Sequence, residues 1–207
     1  TTLFRSIRKN HCTLLSVTVP DVAQKREEWT GHLSGYDKNK LVFLDESGVN
    51  TDLTRIYGRS AGGSRCIGKK PLNTPKNTTI LSSIRLNGET MYTSYQGGTT
   101  KDKFIGYLKN VLAPALKKDD IVIMDNMRTH HSKEVKKVIK DLKINVVYLP
   151  PYSPDLNPIE KMWSKIKSIL RKLKARDLNN LLEAIGYTFS KICVSDCIGW
   201  FHSCNII

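Results

Sequence analysis

The sequence predicts an α/β fold built on one mixed sheet. Three observations predict it. Apolar and β-branched runs cluster early, at 41–46, 52–57 and 78–86, and an Asn87-Gly88 turn sends the last of them back along 89–95. From residue 100 onward the periodicity alternates helix, strand, helix, strand, helix. Two of the strand runs, Leu41-Val42-Phe43-Leu44 and Ile121-Val122-Ile123-Met124, are four apolar residues followed by an aspartate. A buried strand ending in an acid puts charge at the C-terminal edge of a sheet, where ligands of open α/β sheets bind.

The elements follow in chain order. Residues 21–29 read as a short helix with Asp21 near its cap. Gly31, Gly35 and Tyr36-Asp37-Lys38-Asn39 mark a boundary. The first strand is 41–46, turned at Gly48 and Asn50, with 52–57 returning as a second. A long glycine-rich, basic loop fills 58–75. Strands 78–86 and 89–95 lead to a helix at 100–113 with Phe104, Leu108, Val111 and Leu112 on its inner face. Pro114 kinks or ends that helix. After strand 121–125, Ser132 caps a helix that turns Val135, Val138, Ile139 and Leu142 inward and Lys133, Lys136, Lys137 and Lys140 outward. Strand 145–149, a helix at 158–174 and a final helix at 178–193 complete the chain.

With 207 residues the chain is long enough for one domain with a sizeable core. Its 33 Lys+Arg against 19 Asp+Glu, formally +14, point to a polyanionic partner. No apolar run approaches the ~18 residues of a membrane-spanning helix, and nothing resembles a secretory signal, so no membrane is expected among the partners. Five irregularly spaced cysteines point to reduced thiols inside a cell. Cys193, Cys197, His202 and Cys204 match no common zinc spacing. Cys193 and Cys197, one helical turn apart, read as buried small hydrophobes.

The most informative stretch is Pro150-Pro151-Tyr152-Ser153-Pro154-Asp155-Leu156-Asn157-Pro158-Ile159-Glu160, which holds four of the eight prolines. Each proline fixes φ, so the segment is stiff. Ile159, Trp163, Ile166, Leu170 and Leu173 then form one helical face. Asn157 is placed as N-cap, Pro158 as the first helical residue, and Glu160 two positions later. Taken alone, Glu160 reads as the partner of Asn157 in a capping box. The aspartates Asp45 and Asp125 offer the other reading, in which a rigid connector delivers a third carboxylate to the same place.

Leu44-Asp45-Glu46-Ser47-Gly48, Met124-Asp125-Asn126 and the 150–160 stretch resemble the mariner-type DDE transposases, in particular their bacterial insertion-sequence branch. The resemblance runs from about Pro20 to His202. It includes Thr54-Arg55-Ile56-Tyr57-Gly58-Arg59 and Asp196-Cys197-Ile198-Gly199-Trp200-Phe201-His202. It implies an RNase H-like fold: a mixed five-stranded sheet with flanking helices, the first strand in the middle beside 121–125. It also implies that Asp45, Asp125 and Glu160 are the catalytic, metal-binding acids. Relatives of this kind carry helix-turn-helix units upstream. Residues 1–36 therefore read as a remnant or linker of a DNA-binding region, and 37–207 as the catalytic domain. The implied activity is hydrolytic nicking at transposon ends, followed by attack of the freed 3′ hydroxyl on target DNA. The implied partners are double-stranded DNA, at transposon ends and target, and further copies of the chain assembled on it. The implied location is the bacterial cytoplasm, at the nucleoid. Two alternatives stay open: another RNase H-like nuclease, or a catalytically silent DNA-binding remnant.

The chemistry fits the residue types. Three clustered carboxylates repel one another, and a divalent cation removes that cost. Hard oxygen donors suit Mg2+ or Mn2+, and a pair of such ions serves in-line displacement at phosphorus. Among the neighbours, Glu46 points to the opposite face of its strand and reads as structural. Asp155 and Ser47 read as turn residues. His130 and His131 read either as loop histidines or as contacts to the site or to phosphate. Asn126 is noted only for its match to the family motif. Lys161, Lys165, Lys167, Arg171, Lys172, Lys174 and Arg176 place seven positive charges in sixteen residues with no acid among them. A row of one sign suits a phosphate backbone, and the first six are the candidate DNA contacts.

Overall fold

The computed structural model describes residues 20–55, 57–69, 71 and 77–207. Helix α1 (Pro20–Ser34) leads into strand β1 (Leu41–Val49). Strands β2 (Thr78–Ile84) and β3 (Thr90–Gln96) form a hairpin closed at Asn87-Gly88, where Gly88 takes φ +86°. Helix α2 (Lys101–Tyr107) runs through a π turn at Leu108–Leu112 into the short α3 (Ala113–Ala115). Then come β4 (Ile121–Met124), α4 (Lys133–Asp141), β5 (Asn145–Tyr148), α5 (Pro158–Leu173), α6 (Leu178–Phe189) and α7 (Val194–Ser203).

The five strands form one mixed sheet in the order β3-β2-β1-β4-β5. The β1–β2 and β2–β3 pairs are antiparallel, and β1–β4 and β4–β5 are parallel. This is the RNase H-like arrangement, with β1 central. Strand alternation divides the core into two layers. Leu41, Phe43, Ile80 and Ile123 pack with Ile159, Trp163, Ile166 and Leu170 of α5 and with residues of α6 and α7. Val42, Leu44, Val122 and Met124 pack on the other face with Phe104, Tyr107, Leu108 and Val135. Helix α1 joins the first layer through Trp29 and Leu33, so this part of the expected linker packs on the body. The rest of that region, 1–19, lies outside the described residues, as does part of the 58–75 loop.

Several elements differ from expectation. Strand β1 runs on to Val49 and carries Ser47 inside it, buried, where a turn was expected. Both edges of β1 are taken, by β2 and β4, so 52–57 finds no place beside it; its described residues are turn and coil. Thr51 and Leu53 instead offer their carbonyls to Arg176 Nη1, at 2.8 and 3.2 Å. The helix expected at 100–113 passes through a π turn at Leu108–Leu112 and ends at Ala115, one residue past Pro114. The helix expected at 178–193 ends at Phe189, and a further helix, α7, follows it; Cys193 is extended there, and its backbone N–H donates to Asp196 at 3.0 Å at the start of α7. Cys197 is buried as expected, whereas Cys193 is exposed at that cap. Leu142 and Leu173, both expected inside, are partly open to solvent because each lies at the end of its helix.

Candidate active site

Leu44 and Met124 pair in register across the parallel β1–β4 ladder, so Asp45 and Asp125 stand one residue further on, side by side at the C-terminal edge. Glu160 comes from the first turn of α5, which packs on β1. The link is Trp163, one turn beyond Glu160. Its indole Nε1 donates to Asp45 Oδ2 at 3.0 Å, and its ring is almost wholly buried. The sequence reading gave Trp163 only an apolar role; its one polar atom fixes the first acid.

Of the two readings of Glu160, the capping box does not form. Asn157 makes no side-chain cap bond, and its Oδ1 is buried without a hydrogen-bond partner. What pins the connector is α1. Arg26 Nη1 donates to Ser153 Oγ at 2.7 Å, and its Nη2 meets Asp155 Oδ2 at 2.5 Å. Asp155 does lie in a turn, the 3-10 turn Pro154–Leu156, and this ion pair is its additional role. With the capping box absent, Glu160 makes no side-chain hydrogen bond among the described residues.

The three acids act on one another electrostatically. Burial lifts the Asp45 carboxyl to about 7; the Glu46 backbone N–H and Trp163 oppose this, and the charges of Glu160 and Asp125 add to it. Glu160 is the accessible member. The body of the protein still removes part of its hydration and raises its carboxyl, with Lys167 opposing and Asp125 reinforcing. Among the described residues no three Asp, Glu, His or Cys side chains are drawn closely enough to hold one ion. The acids therefore form an open group at one edge, within range of mutual repulsion.

Asp125 has a buried partner. His130, in the turn Arg128–His131, is 1% exposed and stacks on Phe104, with ring centroids 4.4 Å apart. Its Nδ1 lies 2.9 Å from Asp125 Oδ1, and its Nε2 lies 3.6 Å from Glu46 Oε1. Burial opposes a charge on this ring. The hydrogen bond to Asp125 and the Glu46 carboxylate outweigh that and lift His130 to about 9. Glu46, on the opposite face as expected, thus reaches Asp125 through the histidine, and Thr99 Oγ1 also donates to it. His131 is tied to Asn126 Oδ1 and tilts over Tyr148.

The basic row divides. Lys167 and Arg171 follow Glu160 at seven and eleven positions, on its own face of α5. Lys161, Lys165 and Lys172 lie on a different face, and Lys165 is paired with Asp196 of α7. Lys174 ends the helix in the left-handed region at φ 53°. Arg176 is spent on the two backbone carbonyls after β1.

The family model of the DDE superfamily endonuclease matches residues 40–182. The chain is 25% identical over 181 residues to the transposase of the transposable element Tcb2 from Caenorhabditis briggsae, covering 82% of this chain and 63% of the relative. It is 31% identical over 122 residues to an uncharacterized protein of the insertion element IS630 from Shigella sonnei, covering 56% of this chain and 36% of the relative. In structure it is similar to the Mos1 mariner paired-end complex with Mn, with a TM-score of 0.77 at 17% identity, covering 97% of this chain and 64% of that one. The chain thus spans under two thirds of the length of each.

Proposed function

The chain belongs to the DDE superfamily endonucleases, and from that premise we propose that it is the catalytic part of a DNA transposase. One observation carries the proposal: two parallel neighbouring strands and the first turn of α5 present Asp45, Asp125 and Glu160 at one sheet edge, each pair within electrostatic reach. The proposed reaction is hydrolysis of phosphodiester bonds at transposon ends, then strand transfer by the freed 3′ hydroxyl into target DNA.

The residues suit a divalent metal. Their donors are hard oxygens, and the raised Asp45 and Glu160 carboxyls mark a group that is costly to ionise without a cation. We assign Asp45, Asp125 and Glu160 as the residues that would hold Mg2+ or Mn2+, as a pair of ions. When bound, such ions activate an attacking oxygen and stabilise a leaving one at phosphorus. The chain's own contributions are positional. Trp163 orients Asp45, His130 orients Asp125, and the stiff connector sets where Glu160 begins. Lys167 and Arg171, on the Glu160 face, are the strongest candidates to follow the DNA backbone. Lys161, Lys165, Lys172 and Lys174 are weaker, because they lie off that face or at the helix end. Double-stranded DNA is the proposed substrate, and several copies of the chain are proposed to assemble on it.

The test is a strand-cleavage and transfer assay on a pre-nicked duplex carrying the flanks of the chain's own coding element. Cleavage with Mg2+ or Mn2+, and none in excess chelator, is the expected result. Undiminished cleavage in chelator would revive a mechanism run by side chains alone.

A further inference from the structure

We infer that Tyr152 forms, with Met127 and Pro151, a stacking seat for an unpaired nucleobase of the DNA strand held at Asp125. The inference rests on the reading of the chain as acting on DNA. Three observations carry it.

First, a cavity of about 380 Å³ opens beside Asp125, lined by Asp125, Asn126, Met127, Pro150, Pro151 and Tyr152. It is within the ~300–1,000 Å³ range of ligand pockets. Asp125 and the Asn126 amide are its polar lining; Met127, Pro150, Pro151 and Tyr152 offer apolar or aromatic surface.

Second, that surface is left open. Tyr152 is 64% exposed and Met127 is 39% exposed, next to an acid of the candidate active site. An aromatic face serves any base, because every base has a π face. A base paired inside a duplex presents only its edges, so the fitting ligand is one that has left the duplex stack.

Third, Tyr152 holds a backbone conformation that bulky residues avoid, with φ +56°. The other described non-glycine residues with positive φ are Asp119, Lys143, Lys174 and Asn205. Lys143, Lys174 and Asn205 follow the ends of α4, α5 and α7, where such geometry is common. Tyr152 ends no helix. Its turn is held through Ser153, whose Oγ donates to Pro151 O at 3.1 Å and accepts from Arg26. Burial of the ring does not offset the strain, so the clamp holds an aromatic side chain out toward the cavity. Strained positions held by their surroundings cluster at active sites and ligand clamps.

The experiment compares binding of the full chain, without divalent metal, to a blunt duplex and to the same duplex with its terminal base pairs replaced by mismatches. The wild type is expected to favour the mismatched end by about five- to 150-fold, the range of one stacked base. Tyr152→Ala is expected to lose that preference, and Tyr152→Phe to keep it. Tyr152→Gly, which removes both ring and strain, is expected to lose the preference and melt no lower than wild type. If the wild type binds both duplexes equally, or Tyr152→Ala keeps the preference, the seat is overturned and the transposase reading stands. If no duplex is bound, that reading fails and the seat with it.

Discussion

His130 Nδ1 lies 2.9 Å from Asp125 Oδ1, in a ring that is 1% exposed. The second acid is therefore aimed from beneath by a buried cation-forming side chain, itself backed by Glu46. Partners of this kind typically contribute ten- to a hundredfold in metal affinity or activity. His130→Gln is expected to weaken Mn2+ binding by about that factor, with little loss in affinity for duplex DNA. Equal Mn2+ affinity in wild type and variant would remove His130 from the site.

The acids themselves give the larger effect. Asp45→Asn, Asp125→Asn and Glu160→Gln are each expected to lower cleavage by roughly a thousandfold or more. All three are expected to stay folded, and Asp45→Asn to melt higher than wild type in chelator, because its buried charge is gone. Near-normal cleavage in any one variant would remove that residue from the catalytic group.

Metal-free stability is expected to depend on pH in a stated direction. The folded Asp45 carboxyl is raised from 3.8 to about 7, so the native state binds more protons than the unfolded chain between those values. Stability falls as pH rises through that window. His130 is raised from 6.5 to about 9; its contribution is complete below 6.5 and lost as pH rises through 9. Each group contributes a slope of up to about 1.4 kcal/mol per pH unit. Thermal melting in chelator is therefore expected to decline from pH 5 to 9. Asp45→Asn should flatten the lower half of that decline and His130→Gln the upper half. A melting temperature that rises over this range would contradict both assignments.

How much of this was legible in the sequence depends on the kind of signal. The two strand-end aspartates and the proline connector could be read because four-residue apolar runs and fixed-φ residues act locally. The false strand at 52–57 came from the same local reasoning; only the pairing of β1 with both β2 and β4 excludes it. The missing capping box shows a similar limit. Asn157 and Glu160 have the right spacing, but Arg26, more than a hundred positions earlier in the chain, fixes the connector through Ser153 and Asp155. Helix α7 did have a local signal, Asp196 three residues after Cys193, hidden in an apolar run. Trp163 and His130 could not be given their roles from spacing, because each acts on a residue from another element.

The division of the basic row gives a test by pairs. Lys167→Ala with Arg171→Ala is expected to reduce the salt dependence of duplex binding by up to about two phosphate equivalents. Lys165→Ala with Lys172→Ala is expected to change it less. Lys165→Ala should also lower stability by up to about 1 kcal/mol through loss of its ion pair with Asp196. Salt titrations of both double variants decide which face follows DNA. An equal reduction in the two would return the whole helix to a single electrostatic surface.

The central claim is that Asp45, Asp125 and Glu160 together hold divalent metal. Counting bound Mn2+ by electron paramagnetic resonance, on the wild type and on the Asp45→Asn, Asp125→Asn, Glu160→Gln triple variant, tests it most directly. Saturable binding by the wild type that disappears in the folded triple variant is the expected result. The same saturable binding in both proteins would place the metal elsewhere and contradict the account.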